Sequence, residues 1–151
     1  MSETLRVVVR YLDGRVVKGT TEDFFPNRPG FHLHLLGSGA LEDIRCKDLK
    51  AVFFVKDFAG NRMRRDRSGF AQTTDASRGK KIAVLFKDGE VYCGYTLAYT
   101  PDRDGFFVEP ADSNTNNLRA YVLTHATREV RVGPMADALV QKAGKPHSRA
   151  A

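Results

Sequence analysis

The chain has 151 residues, 42% of them hydrophobic, with two cysteines, no tryptophan and a formal charge of +6, enough for one domain or two very small ones. No stretch approaches the roughly 18 apolar residues that cross a bilayer, and the opening MSETLRVVVRYLDG lacks the basic and apolar regions of a signal peptide, so neither a span nor a leader is expected. Cys46 and Cys93 make neither a metal-ligand spacing nor a disulfide framework, which points to a reducing, cytoplasmic setting.

The first predicted element is a strand. Val7, Val9 and Tyr11 alternate with Val8, Arg10 and Leu12, the two-residue period of a sheet. Asp13-Gly14 reads as a type I′ hairpin turn, and Gly19 marks a bend in the strand that follows. In FPNRPGFH, residues 25–32, proline presets φ, glycine supplies an unusual dihedral and Phe31 re-enters the core. Strands follow at Gly30–Leu36, Asp43–Lys47 and Ala51–Lys56. Residues 59–80, rich in Arg, Ser, Gly and Thr, lack apolar periodicity and read as an exposed basic linker.

The pattern then starts again. KIAVLFKDGEVYCGYTLAYTPDRDGFFVEP overlies LRVVVRYLDGRVVKGTTEDFFPNRPGFHLHL at an offset of 75, matching Gly14 to Gly89, Gly19 to Gly94, Phe24 to Tyr99 and Phe31 to Phe106. Strands are predicted at Gly105–Pro110, Leu118–Leu123 and Arg128–Val132. A one-residue slip lays Ile44-Arg45 on Leu118-Arg119. Pro134–Ala143 reads as a short helix, with Gly144 as a stop and a frayed tail beyond. The expectation is an all-β protein of two tandem five-stranded small barrels, residues 1–58 and 81–133, with the linker at 59–80 and the helix and tail at 134–151.

The charge is uneven. Residues 1–56 hold nine Lys/Arg against seven Asp/Glu, 57–81 seven against three, 82–132 five against seven, and 133–151 three against one. The linker and tail therefore carry the whole net charge, whereas a nucleic-acid-binding domain usually carries its basic excess on a folded face.

Each repeat resembles an Sm-like (LSm) domain, a five-stranded SH3-like barrel. The resemblance rests on Gly14, Gly19 and Phe24, on Gly89, Gly94 and Tyr99, and on IRCKDL (Ile44–Leu49) and LRAYVL (Leu118–Leu123). The tandem pattern, with KAVFFVKDF and PADSNTNNLR, is also similar to an uncharacterised bacterial family. The Sm-like resemblance implies RNA binding and ring assembly, with Arg45 and Arg119 at the pocket arginine. Phe25 and Thr100 stand where that pocket has its Asp, and Cys46 and Ala120 replace the glycine after the arginine.

Several residues could carry function. Arg28 and Arg103 could present guanidinium groups to a partner from a rigid turn, beside Phe31 and Phe106; the bland alternative pairs them with Asp23 or Asp104. Arg45, Arg119, Asn116, Asn117 and the linker arginines Arg62, Arg64, Arg65 and Arg67 are the nucleic-acid candidates. His32 and His34 share a strand face, but no third ligand is placed for a metal, so no metal and no cofactor are expected. Arg64, Arg67 and Asp75–Gly79 are a near-miss to the cyclic-di-GMP motif of PilZ receptors. Catalytic motifs are missing, and Glu22-Asp23 point to opposite faces. The leading expectation is a non-catalytic bacterial adaptor that recognises a protein. RNA or single-stranded nucleic-acid binding is the alternative and a cyclic-di-GMP receptor the third, with homo-oligomers through strand edges also open.

Overall fold

The computed structural model describes residues 4–26, 28–56, 79–97, 99–110 and 117–143. Its strands are β1 (Leu5–Tyr11), β2 (Val16–Thr21), β3 (Gly30–Leu35), β4 (Leu41–Arg45), β5 (Leu49–Val55), β6 (Lys80–Phe86), β7 (Val91–Thr96), β8 (Gly105–Pro110), β9 (Asn117–Leu123) and β10 (Thr127–Val132), followed by helix α1 (Pro134–Ala143). The class is all-β with one short helix, as the periodicity predicts. Nearly all of the 59–80 linker and the tail from 144 lie outside the described residues.

The strands form one antiparallel sheet in the order β10-β6-β7-β8-β9-β5-β1-β2-β3-β4. Each repeat thus has the same internal order, its fifth strand beside its first. What makes the sheet continuous is the pairing of β5, from the first repeat, with β9, from the second. The equivalence extends to irregularities. The β1–β5 ladder slips between Arg10 and Tyr11, and the β6–β10 ladder slips between Thr127 and Glu129.

The seam explains two runs that do not alternate. All seven residues of LKAVFFV in β5 are buried. Leu49, Val52 and Phe54 enter the first core with Val7, Val9, Phe31, Leu33 and Ile44, while Ala51, Phe53 and Val55 enter the second with Ile82, Val84, Phe86, Phe106 and Val108. β9 is divided the same way, with Tyr121 and Leu123 in the first core and Ala120 and Val122 in the second. A strand buried on both faces reads as continuously apolar. Each repeat therefore completes its core with side chains from the other.

Two local expectations are corrected. Gly14 and Gly89, both at φ 97, end three-residue loops rather than two-residue type I′ turns. Tyr11 N–H donates to Arg15 O at 2.9 Å and Gly14 N–H to Tyr11 O at 3.1 Å, and Phe86–Glu90 repeats this, the geometry of a type I turn closed by a left-handed glycine. Gly19 and Gly94, expected to mark bends, sit in regular ladders opposite Val7 and Ile82 and serve close approach: a Cβ on Gly19 would lie 2.3 Å from His34 O, and one on Gly94 1.9 Å from Glu109 O.

α1 covers the outer face of the second repeat. Ala136, Leu139 and Val140 pack on Ala83, Leu85, Cys93 and Tyr95, and Asp137 pairs with Lys81 at 3.3 Å.

Candidate functional site

The two proline–arginine–glycine turns are built alike. Each is anchored to a short 3-10 turn after the repeat's fourth strand. Cys46 N–H donates to Pro29 O, and Thr124 N–H donates to Asp104 O, both at 2.9 Å. The Thr124 hydroxyl adds a bond to Arg103 O at 2.8 Å. The glycine serves close approach here too. A Cβ on Gly30 would lie 2.4 Å from Ile44 O, and one on Gly105 2.5 Å from the Tyr121 ring. Neither glycine has a positive φ, contrary to the expected unusual dihedral.

Phe31 and Phe106, expected beside the recognition arginines, are only 2% and 4% exposed. They meet Phe24 at 5.2 Å and Tyr99 at 4.8 Å edge-on, and so fasten the turns to the two cores. The surface of the turn is carried by other residues. Phe25 is 52% exposed, and the Arg28 guanidinium lies 5.2 Å from its ring centroid. Asp23 turns to His32 instead of Arg28, meeting the ring Nδ1 at 2.7 Å and accepting the backbone N–H at 2.9 Å. Burial pushes the Asp23 carboxyl up, but bonds from His32 and the Thr21 hydroxyl outweigh it, so its pKa lies below the usual carboxylate value. The same bond holds His32 above the usual imidazole value. The second turn exposes Pro101, Asp102, Arg103 and Asp104, with Thr100 in place of Phe25.

Arg45 and Arg119 are not equivalent. Phe31 faces Ile44, and Phe106 faces Val122. Between equivalent paired positions the path from third to fourth strand is three residues longer in the second repeat, so Arg45 corresponds to the buried Leu123, and Arg119 to Leu41. Arg45 is exposed on the edge strand β4, opposite Gly30 and 3.8 Å from Asp43. Arg119 lies in the seam opposite Phe54, its guanidinium 4.5 Å from the Phe107 ring centroid and 5.1 Å from that of Phe54. Asn117 opens β9 opposite Val55. Asn116, Arg62, Arg64, Arg65 and Arg67 lie outside the described residues, as does nearly all of the Asp75–Gly79 near-miss.

Sequence reasoning missed Phe25 and Lys50. Lys50 is 7% exposed. Its ammonium bonds Asp88 at 2.8 Å and also Glu90, above the Phe86 ring. Burial pushes Asp88 up, but the bonds from Lys50 and from Glu90 N–H bring it below the usual carboxylate value. This clamp joins the first repeat's bulge to the second repeat's first hairpin, and His125 Nε2 adds a contact to Leu49 O at 2.8 Å. A charge inside the apolar run LKAVFFV was the signal for it.

Among the described residues no three His, Cys, Asp or Glu side chains come together in a way that could hold a metal. Both cysteines are buried. Burial pushes the Cys93 thiol up to about 12, and burial with the Asp104 charge raises Cys46. Neither is an activated nucleophile. Among the described residues no helix is long and apolar enough to cross a membrane.

The chain matches DUF6982, a family of unknown function, over residues 3–133, and belongs to it. No curated protein and no solved structure matches the chain.

Proposed function

We propose that this DUF6982 chain is a non-catalytic bacterial adaptor, acting in the cytoplasm, that recognises a protein partner through its first proline–arginine–glycine turn. In this reading each repeat is a small Sm/SH3-like barrel, and the clamped seam makes the pair one rigid support. The observation that carries it is the Phe25–Arg28 pair: a half-exposed ring with a guanidinium over it, on a turn held by Phe31 and by the Pro29–Cys46 bond. Aromatic and arginine side chains on rigid supports are the usual anchors of protein interfaces. The buried, high-pKa thiols support a binding role rather than covalent catalysis.

The test is cross-linking capture from a bacterial lysate with the wild-type chain and with Phe25→Ser/Arg28→Glu, both first shown to melt alike. Proteins captured by the wild type and lost by the variant are expected. Identical capture by both, or none by either, contradicts the reading.

A further inference from the structure

The repeat equivalence exposes a difference between the two outer sheet faces. In the second repeat Lys81, Ala83, Leu85, Cys93 and Tyr95 lie under or beside α1, and Lys81 is paired with Asp137. The matching residues of the first repeat are Arg6, Val8, Arg10, Lys18 and Thr20. They share one face, because β1 and β2 pair Arg6 with Thr20, Val8 with Lys18 and Arg10 with Val16. Val7 and Val9 between them are fully buried in the first core. The second repeat occupies the β5 side of this face, where Val8 packs against its core. Among the described residues no helix covers the β1–β2 side.

That face is basic. Arg6, Arg10 and Lys18 are exposed, and Arg6 stands where Lys81 meets Asp137. His34, opposite Thr20, and Arg45, opposite Gly30, continue the same face across β3 and β4. The acids around it are Asp43 beside Arg45 at 3.8 Å, Glu22 accepting a bond from Thr4 at 3.1 Å, and Asp88 across the seam, whose carboxylate interacts with the Arg10 charge. Arg6 also donates to Lys56 O at 3.2 Å, and Arg10 lies 5.6 Å from the Phe53 ring centroid. Val8 and Thr20, both half-buried, lie between the cations, and the exposed Val16, opposite Arg10, and Leu41, opposite His34, add apolar surface to the face.

We infer that the β1–β2 face of the first repeat is a docking surface for an acidic helix of a partner protein. α1 supplies the template: a short helix lying across β6, β7 and the edge strand β10, with a carboxylate on the β6 cation Lys81. On the first repeat the apolar contacts of that template are replaced by cations, so the occupant must bring carboxylates where α1 brings Leu139 and Val140. Charge complementarity at this site sets orientation and association rate more than raw affinity. The inference rests on the adaptor reading and names the chemistry of a partner, on a surface separate from Phe25 and Arg28.

The test uses the full chain and a fluorescein-labelled, 20-residue amphipathic helical peptide rich in glutamate. Amide shift mapping should place its contacts on Arg6, Val8, Lys18 and Thr20. Anisotropy should show binding at low salt that weakens at least tenfold in Arg6→Glu/Lys18→Glu. It should be unchanged in Lys80→Ala/Lys87→Ala and retained in Arg6→Lys, which keeps the charge if the double variant is poorly folded. Absence of binding, shifts confined to residues 25–31, or equal binding of a non-helical polyglutamate overturns the inference. So does tighter binding of single-stranded oligouridine at the same residues. If Phe25→Ser/Arg28→Glu loses captured proteins while the face variants lose nothing, the adaptor reading stands and the acidic-helix inference fails.

Discussion

Replacing Gly94 with alanine adds one carbon, and the structure fixes where it goes. The new Cβ would lie 1.9 Å from Glu109 O and 2.9 Å from a Val108 methyl. Contacts under about 3 Å are not tolerated, so β7 and β8 must separate by more than an ångström. The ladder at stake pairs Gly94 with Pro110 and Tyr95 with Glu109. Losing two hydrogen bonds costs about 1 kcal/mol each, and overpacking adds about 1–3 kcal/mol. A loss of about 3–5 kcal/mol lowers the Tm of a chain this size by roughly 10–15 °C. Gly89→Ala is the internal comparison. It has φ 97 and nothing within 4 Å of a Cβ, so only backbone strain of about 1–2 kcal/mol applies. Thermal melts followed by circular dichroism should rank the two variants in that order, with Gly19→Ala beside Gly94→Ala. A Gly94→Ala melt equal to or above that of Gly89→Ala refutes the close-approach argument.

Asp88→Asn/Glu90→Gln leaves the Lys50 ammonium buried without its carboxylates. A fully buried broken pair costs about 3–5 kcal/mol, and because both acids are about half exposed the expected loss is nearer 1–3 kcal/mol by urea titration. Asp88 has a lowered folded pKa, so its stabilisation is full above the unfolded value near 4 and fades as pH falls through the folded value; the double variant should lack this acid-side loss. Nuclear magnetic resonance titration should place His32 above the ordinary value of about 6.5, and Asp23→Asn should bring it back. The raised His32 pKa makes the pair's contribution full below about pH 6.5 and lost as pH rises through the folded value. The lowered Asp23 pKa makes it full above about pH 4 and lost as pH falls through that group's folded value. Cys46 and Cys93 should resist a thiol reagent at pH 8 in the native chain and react at once in urea.

The strands of each repeat were legible because Val7–Leu12 and Ile82–Phe86 carry the period of two and Asp-Gly marks the hairpins. The strand order within a repeat follows from the same signals. The seam was not read, although LKAVFFV and AYVL announce strands buried on both faces, because a continuous apolar run does not say which second core will cover it. The mispairing of Arg45 with Arg119 has a plain cause. The longer path from β8 to β9 shifts the register by three, and a shared Leu/Ile-Arg dipeptide masked the strand pairing, which sets Arg45 opposite Gly30 and Leu123 opposite Gly105. At the turns, Arg28 was legible as a surface residue and Phe31 as the ring that re-enters the core, whereas nothing in the sequence marked Phe25 as the exposed ring beside Arg28.

The central structural claim is that β5 and β9 make the two repeats one folding unit. Amide spectra recorded through a urea titration report it directly, with β2 standing for the first repeat and β7 for the second. The shared cores predict that native signals from both strands vanish at one midpoint with one slope. Two separate midpoints, with β2 or β7 persisting after the other is lost, would contradict the seam.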